Sequence, residues 1–295
     1  MVAHMKSVIK RLITSAADND RVWAALDSTI LRAARYADWE RQKLHPRPVP
    51  SSPIEDSTVQ AAVRAIVPDL TVRHGPFKGM KYPVSESMGS TLFPKLIGSY
   101  ERELHPIIEA ICRTACTDVV NIGCGEGYYS VGLAMRLSSA NVLAFDVDER
   151  AVELCRKMAE LNHVGQRVTA SSSLCDPDTL CAIPHTGKLL VVSDCEGYER
   201  ALFTEQVVAH LASHDVLIET HDFVDIEISA RIRERFQRTH DVHQILSVDD
   251  IQKAHTYEYR ELDSYDLQTR KVLLAESRPA IMEWLFMTSR SAPRH

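Results

Sequence analysis

One stretch of the sequence decides the fold: Asp118-Val-Val-Asn-Ile-Gly-Cys-Gly-Glu-Gly-Tyr-Tyr-Ser130. Its apolar run at 119–122 predicts a buried strand, and the apolar spacing over 128–137 predicts a helix. The three glycines between them let a ligand approach bare backbone, and the start of the helix presents unpaired N–H groups. A strand, a glycine turn and a helix in this order are typical of a nucleotide-binding corner.

Strands and helices alternate after this corner, which indicates a parallel α/β sheet. The predicted strands are 119–122, 142–145, 167–170, 189–192, 216–219, 242–248 and 281–288. The predicted helices are 128–137, 149–161, 177–182, 198–212, 226–239 and 267–275. The sequence therefore predicts one large α/β domain that extends to the C-terminus.

The chain before this domain has a different character. We expect residues 1–90 to form a helical N-terminal extension with a proline-rich linker, and residues 91–295 to form the main domain. Apolar stripes within 1–44 predict helices, whereas four prolines within 45–53 are incompatible with one. Further helices are predicted at 57–67 and 100–116, and a hairpin at 71–82. The apolar stripes make a homodimer possible.

The composition limits the partners that we expect. It is 45% hydrophobic and 25% charged, which is ordinary for a soluble globular protein. The formal net charge of −6 disfavours nucleic-acid binding, and no apolar run approaches the roughly 20 residues that span a bilayer. Seven scattered cysteines without a CxxC pair suggest reduced thiols in the cytoplasm. We therefore expect a small-molecule substrate, without a nucleic-acid or membrane partner.

A second acidic site follows the next predicted strand, in Leu143-Ala-Phe-Asp-Val-Asp148. Asp146 lies 23 residues after Gly123. An acid about 20 residues after the first glycine is positioned to bind the ribose hydroxyls of an adenosine. The alternative for both acids is capping of the next helix, and for Asp148 we prefer that alternative.

These two motifs together resemble the class I S-adenosylmethionine-dependent methyltransferases. The resemblance implies a Rossmann-like sheet of seven strands, the last antiparallel, with S-adenosyl-L-methionine as the cofactor. It implies that Gly123, Cys124 and Gly125 hold the methionine half of that cofactor and that Asp146 binds its ribose. Ser172, after the third strand, is expected at the adenine.

One residue departs from the pattern of that family. Asn121 stands where an acid is usual, so it is able to hydrogen-bond with the cofactor but not to pair with its ammonium group as an anion. We expect Glu101, just ahead of the domain, to contribute that contact.

A finer resemblance lies in Leu189-Leu-Val-Val-Ser-Asp-Cys-Glu-Gly-Tyr-Glu199 and Val216-Leu-Ile-Glu-Thr-His221. This pair of strand ends resembles FkbM-type methyltransferases, a group associated with O-methylation of sugars and natural products. The resemblance implies that Asp194 and His221 are catalytic and that Asp194 also lies beside the cofactor. A neutral His221 imidazole would accept a substrate proton near neutral pH. The alternatives are helix capping by Asp194 and a purely structural histidine.

Other chemistry remains open at the same strand ends. We predict no metal site, although Asp194, Glu196, His221 and Asp222 are residue types that hold magnesium or calcium. A nicotinamide-dependent oxidoreductase would use the same glycine corner, but the GxGxG spacing differs from the dinucleotide GxGxxG pattern. A non-catalytic scaffold that binds the cofactor is the third possibility.

Overall fold

The computed structural model describes residues 53–290, and within them a seven-stranded sheet forms the centre. Its strands are β1 Cys116–Ile122, β2 Asn141–Phe145, β3 Val168–Ser171, β4 Lys188–Ser193, β5 Asp215–Thr220, β6 His240–Leu246 and β7 Glu283–Ser289. They lie in the order β3-β2-β1-β4-β5-β7-β6. The first five are parallel, and β7 runs antiparallel to both β5 and β6. This confirms the predicted α/β class and the antiparallel last strand.

The two faces of the sheet carry separate hydrophobic clusters. Along β4, Leu190 and Val192 belong to one cluster, whereas Leu189 and Val191 belong to the other. Successive side chains of a strand point to opposite faces, so a strand that is buried on both faces is a continuous apolar run. For this reason, unbroken apolar runs in the sequence predicted the central strands correctly.

Helices cover these faces. The α-helices of the described residues are Pro53–Ile66, Leu92–Ile97, His105–Ile111, Tyr128–Arg136, Glu149–Leu161, Pro177–Ala182, Glu199–Leu202, Glu205–His210, Ile228–Phe236, Asp250–Thr256 and Leu267–Leu274. Short 3₁₀ helices span Arg102–Leu104 and Arg260–Leu262.

Several helix predictions need correction. The single helix predicted at 198–212 is two short helices, because Thr204 caps the second one by accepting a hydrogen bond from the Val207 N–H. The helix predicted at 100–116 is shorter and begins after a 3₁₀ turn. Asp250–Thr256, which follows an Asp249 cap, was not predicted.

Residues just before the predicted domain boundary pack with the sheet. Val63, Val67, Phe77 and Met80 lie in the same hydrophobic cluster as Leu190. The region predicted as a hairpin at 71–82 contains one antiparallel bridge, between residues 71 and 81. The division at residues 90 and 91 remains a prediction.

The rest of the N-terminal prediction lies outside the described residues. This applies to the helices expected within 1–44, to the linker as far as residue 52, and to the homodimer that rested on them. Pro53, which we assigned to the linker, is instead the first residue of helix Pro53–Ile66. Proline is favoured at that position because its N–H would be unpaired there anyway. Among residues 53–290, no helix has both the length and the apolar character needed to cross a membrane.

Candidate functional site

The carboxyl ends of four parallel strands are aligned along one edge of the sheet. Ile122 of β1 is in register with Phe145 of β2 and with Ser193 of β4, and Ser193 is in register with Ile218 of β5. The residues that follow these positions are therefore neighbours along that edge. They are Gly123, Asp146, Asp194 and Glu219, which brings together the acids that the sequence placed at strand ends.

The glycine turn depends on close backbone approach. Gly123, Gly125 and Gly127 all have positive φ angles. A Cβ atom on Gly123 would lie 1.6 Å from the carbonyl oxygen of Asp194, so no larger residue fits there. The turn of β1 and the end of β4 are therefore built against each other.

Asp146 holds this turn. One of its carboxylate oxygens accepts a hydrogen bond from the Gly125 N–H at 2.8 Å, and the other accepts one from the Asp148 N–H at 2.9 Å. Burial raises the pKa of Asp146, although these hydrogen bonds oppose the shift. Each oxygen keeps a second acceptor site, which leaves Asp146 able to bind ribose hydroxyls. Asp148 caps helix Glu149–Leu161 through the Arg150 N–H, as we preferred from the sequence.

The other residues expected at the cofactor lie in different surroundings. Asn121 is buried, where its amide oxygen accepts a hydrogen bond from the Ser130 hydroxyl at 2.7 Å. The Cys124 thiol is buried against Cys155, and that contact and the burial raise its pKa. Ser172 is exposed directly after β3. Only Ser172 is thus freely accessible from solvent among these three.

Glu101 is buried at the centre of an ion-pair network that the sequence did not reveal. Its carboxylate accepts a hydrogen bond from the Tyr129 hydroxyl and pairs with Arg278 at 2.5 Å. Arg278 also pairs with Glu219 and, at 2.9 Å, with Glu276. Burial raises the pKa of Glu101 to about 7, although the positive charge of Arg278 opposes the shift.

His221 is surrounded by four carboxylates. Its Nδ1 lies 2.7 Å from Glu199, which is fully buried. Its Nε2 lies 3.4 Å from Asp194, 3.6 Å from Glu196 and 3.9 Å from Glu219. The structure thus brings together Asp194, Glu196, Glu219 and His221, which the sequence places at two strand ends, and it adds Glu199 to them.

This environment changes the protonation that we expected for His221. Burial alone would lower the pKa of His221, but the close carboxylates of Asp194 and Glu199, the second of them hydrogen-bonded to Nδ1, raise it to about 12. Burial likewise would raise the pKa of Asp194, yet the contact with His221 brings it below its usual value. An imidazolium has no lone pair to accept a proton, so this pKa disagrees with the neutral general base expected from the sequence.

Asp222, which the sequence placed with Asp194, Glu196 and His221, has a structural role. Its carboxylate accepts hydrogen bonds from the N–H and the hydroxyl of Ser229, at 2.8 and 2.6 Å. It thereby fixes the start of helix Ile228–Phe236 and is not among the carboxylates within ion-pair distance of His221.

A cavity of about 100 Å³ opens beside these acids. Asp194, Glu196, Glu219 and His221 form one wall, and the segment from Glu276 to Met282 contributes another part, including Arg278. Gly89, Ser90, Tyr100 and Phe223 complete the lining. The cavity is therefore rich in hydrogen-bond acceptors and has an aromatic side chain at Phe223.

A buried ion pair connects the glycine turn to helix Leu92–Ile97. Lys95 and Glu126 are nearly inaccessible to solvent, and the Lys95 ammonium lies 2.6 Å from the Glu126 carboxylate. Glu126 also accepts hydrogen bonds from the Met88 N–H and the Ser87 hydroxyl, at 2.9 and 3.0 Å. The sequence identified Glu126 only as a flank of the turn, because nothing local indicates its partner.

The sequence of this region matches known methyltransferases. Residues 106–182 match the family model described as ribosomal protein L11 methyltransferase (PrmA). The ribosomal protein L11 methyltransferase of Herpetosiphon aurantiacus is 46% identical over 54 residues, which are 18% of this chain and 16% of that protein. The protein of the same description from Ruminiclostridium cellulolyticum is 40% identical over 58 residues, or 20% and 18% of the two chains. The chain thus matches less than a fifth of the length of these curated relatives.

Solved structures resemble the chain more broadly but weakly. A putative O-methyltransferase from Klebsiella pneumoniae is 12% identical, covers 86% of this chain and 96% of its own, and has a TM-score of 0.44. An S-adenosylmethionine-dependent methyltransferase from Geobacter sulfurreducens, in complex with S-adenosyl-L-homocysteine, is 14% identical, with coverages of 64% and 91% and a TM-score of 0.42. No functional conclusion follows from likenesses of this strength.

The match over residues 106–182 supports the first and broader of the two resemblances found in the sequence. It supports a class I S-adenosylmethionine-dependent methyltransferase, with S-adenosyl-L-methionine as the cofactor. It ends before Asp194 and His221 and does not reach the FkbM-like strand ends.

Proposed function

We propose that this protein transfers the methyl group of S-adenosylmethionine to a hydroxyl of a sugar or a related small natural product, as an FkbM-type methyltransferase. The observation that carries the proposal is the alignment of Gly123, Asp146 and Asp194 along one edge of the sheet. A cofactor bound over the first two residues would present its methyl group near the third. Ligands of open α/β sheets bind at this edge.

For the binding of S-adenosylmethionine, we assign one role to each of the residues predicted from the sequence. Asp146 binds the ribose hydroxyls with the acceptor sites that the Gly125 and Asp148 N–H groups leave free. The turn Gly123-Cys124-Gly125 and Asn121, at the end of β1, hold the methionine half of the cofactor. Ser172 contacts the adenine.

Glu101 remains our proposed partner for the ammonium group of the cofactor. Its carboxylate is oriented by Tyr129 and Arg278.

The cavity beside Asp194 and His221, where we place the methyl acceptor, suits a molecule with several hydroxyl groups. Ionised carboxylates only accept hydrogen bonds, and hydroxyls are the neutral donors that satisfy them. Asp194 and His221 would hold the reacting hydroxyl in line with the methyl carbon and the sulfur. Such positioning supplies much of the rate of a displacement between two bound reactants.

Two experiments, carried out one after the other, test this function. Calorimetry with S-adenosylmethionine and S-adenosylhomocysteine should show saturable binding, and the absence of heat at high concentration would refute the proposal. Radiolabelled S-adenosylmethionine is then offered with a panel of sugars, a panel of amines and ribosomal protein L11. We expect label in a sugar product. Label in the amines or in L11 alone would refute the choice of acceptor.

The alternatives have less support. The match to the ribosomal protein L11 methyltransferases covers residues 106–182, which precede Asp194 and His221. An absorbance assay with each nicotinamide dinucleotide would reveal an oxidoreductase. Loss of methyl transfer in both Asp194→Ala and His221→Ala, with cofactor binding kept, would exclude a scaffold. All seven cysteines are free, which supports our proposal of a cytoplasmic location.

A further inference from the structure

We propose that Asp194, Glu219 and His221 form a binding site for one hard divalent cation of the Mg²⁺ or Mn²⁺ type. Each of the three offers a ligand atom, and these atoms lie within 4.8 Å of one another. They come from the ends of two adjacent strands, β4 and β5, at the floor of the cavity. We predicted no metal here from the sequence, where Glu219 was not among the candidate ligands.

The separations between the ligand atoms match a shared ion. Atoms bound about 2.1 Å from one octahedral ion lie about 3 Å apart when adjacent and about 4.2 Å apart when opposite. The Nε2 atom of His221 is 3.4 Å from Asp194 Oδ1 and 3.9 Å from Glu219 Oε2. Both values fall within this range. Glu196 Oε2, at 3.6 Å from the same nitrogen, is near enough to supply a fourth ligand.

A second observation supports the binding of a cation at this place. Asp194 Oδ1 is buried from solvent and has no hydrogen-bond partner in the described part of the chain. A buried carboxylate oxygen that lacks a partner loses its hydration without compensation. The same oxygen is the one that faces His221 Nε2, and a cation between the two atoms would satisfy both.

Glu199 provides the support that metal-binding histidines usually have. Its buried carboxylate lies 2.7 Å from His221 Nδ1, which directs Nε2 towards Asp194 and Glu219. Metal-bound histidines almost always donate their other ring N–H to such a group, which fixes the ring and its tautomer. Glu199 is therefore a positioning residue of the proposed site.

The chemistry of the ligands selects the type of cation. Two carboxylates and one imidazole favour Mg²⁺ or Mn²⁺ over the ions that prefer thiolates, and the imidazole favours Mn²⁺ of the two. Arg278 pairs with Oε1 of Glu219, so that Oε2 remains directed at the site. With four carboxylates around one imidazole, a doubly charged ion would also reduce the repulsion among them.

A role for this cation in catalysis rests on the proposed methyl transfer. With three protein ligands, the ion would keep positions open for two oxygens of an acceptor. It would orient these oxygens and lower the pKa of a bound hydroxyl.

The test measures the metal alone. The full-length protein, without S-adenosylmethionine, is titrated with Mn²⁺, and free Mn²⁺ is followed by electron paramagnetic resonance. We expect one saturable site that Mg²⁺ competes for. Asp194→Asn, Glu219→Gln and His221→Gln should each weaken Mn²⁺ binding at least about 10-fold, and Glu199→Gln about 10- to 100-fold.

Glu153→Gln is the matched control. Glu153 is an exposed acid whose partner is Lys157, one helical turn away, so its removal should leave Mn²⁺ affinity unchanged. Thermal unfolding checks that each variant folds. Asp194 is partly exposed, so Asp194→Asn keeps the test valid where His221→Gln fails to fold. Absence of saturable binding at millimolar Mn²⁺, or affinity unchanged in Asp194→Asn, would overturn the site.

The proposed metal site and the proposed function can be refuted independently of each other. Calorimetry with S-adenosylmethionine is run in the presence of a chelator. Cofactor binding without Mn²⁺ binding overturns only the metal site. Mn²⁺ binding without cofactor binding overturns the methyltransferase and retains the metal site.

Discussion

The buried pair of Lys95 and Glu126 gives the sharpest test of how the glycine turn is held in place. Replacing Lys95 with methionine keeps most of the side-chain volume and removes the charge. Glu126 then remains inside the protein with neutral donors only, from Ser87, Met88 and Tyr82. Breaking a buried ion pair by removing one partner costs about 3–5 kcal/mol, because the other charge is left uncompensated.

The expected loss is large enough to measure in two ways. Urea unfolding at about pH 7 should show a free energy of unfolding about 3–5 kcal/mol lower in Lys95→Met than in the wild type. Each kcal/mol lowers the melting temperature of a domain of this size by about 2–4 °C, so a decrease of about 6–20 °C should accompany it. The double variant Lys95→Met with Glu126→Leu should recover most of the loss.

The dependence on pH has a definite sign. In the wild type, burial would raise the pKa of Glu126, but Lys95 and the Met88 N–H bring it below its usual value. The pair therefore stabilises the fold above the usual glutamate range and loses that effect as the pH falls. In Lys95→Met the shift should reverse, because burial is no longer opposed by a positive charge. The difference in stability between the two proteins should thus shrink at about pH 5.

An exposed pair with the same geometry is the control. The Lys157 ammonium lies 2.6 Å from Glu153, the same separation as in the buried pair, but both side chains are more than half exposed. Exposed pairs contribute little because water screens them. Lys157→Met should leave stability nearly unchanged. A similar loss in both variants, or a loss in Lys95→Met that does not depend on pH, would refute the reasoning.

Three further predictions concern the proposed site. Gly123→Ala should weaken S-adenosylmethionine binding at least about 100-fold in calorimetry, because its φ of +74° and the 1.6 Å approach to Asp194 exclude a Cβ; affinity within tenfold of wild type would contradict this. Asp146→Asn should weaken cofactor binding about 10- to 100-fold, since a hydrogen bond to a charged group is replaced; Asp148→Asn, which changes only the helix cap, should not. Phe223→Ala removes a half-exposed aromatic side chain that lines the cavity. It should raise the KM for the acceptor and leave the affinity for the cofactor unchanged. Equal changes in both quantities would count against an acceptor site at Phe223.

The sheet and the glycine turn were predictable because their signals are local. Buried strands give short apolar runs, and the turn at Gly123 and the acid at Asp146 follow those runs directly. Helix ends were less predictable where a cap interrupts an amphipathic pattern. Thr204, which ends one short helix and begins the next, is an example.

The ionic network was not predictable because its members are far apart in the sequence. Arg278 lies 177 residues after Glu101 and 59 residues after Glu219, and it precedes β7 in a segment without a periodic pattern. A charged residue in such a segment looks like any solvated one until the fold buries it. The burial and pairing of Lys95 could not be predicted for the same reason, since its partner Glu126 belongs to another element.

The match to known methyltransferases covers the region of these local signals and ends before Asp194. Residues 106–182 contain the glycine turn and Asp146, to which our proposal gives the binding of the cofactor. In our proposal the acceptor binds to residues from Asp194 onward, whose properties arise from contacts between separate segments. His221 illustrates the consequence: its spacing suggested a neutral base, whereas four surrounding carboxylates give it a positive charge or, in our proposal, a metal ion. The acceptor therefore has to be inferred from these contacts, and Mn²⁺ titration of the Asp194 and His221 variants is the most direct way to learn which charge they hold.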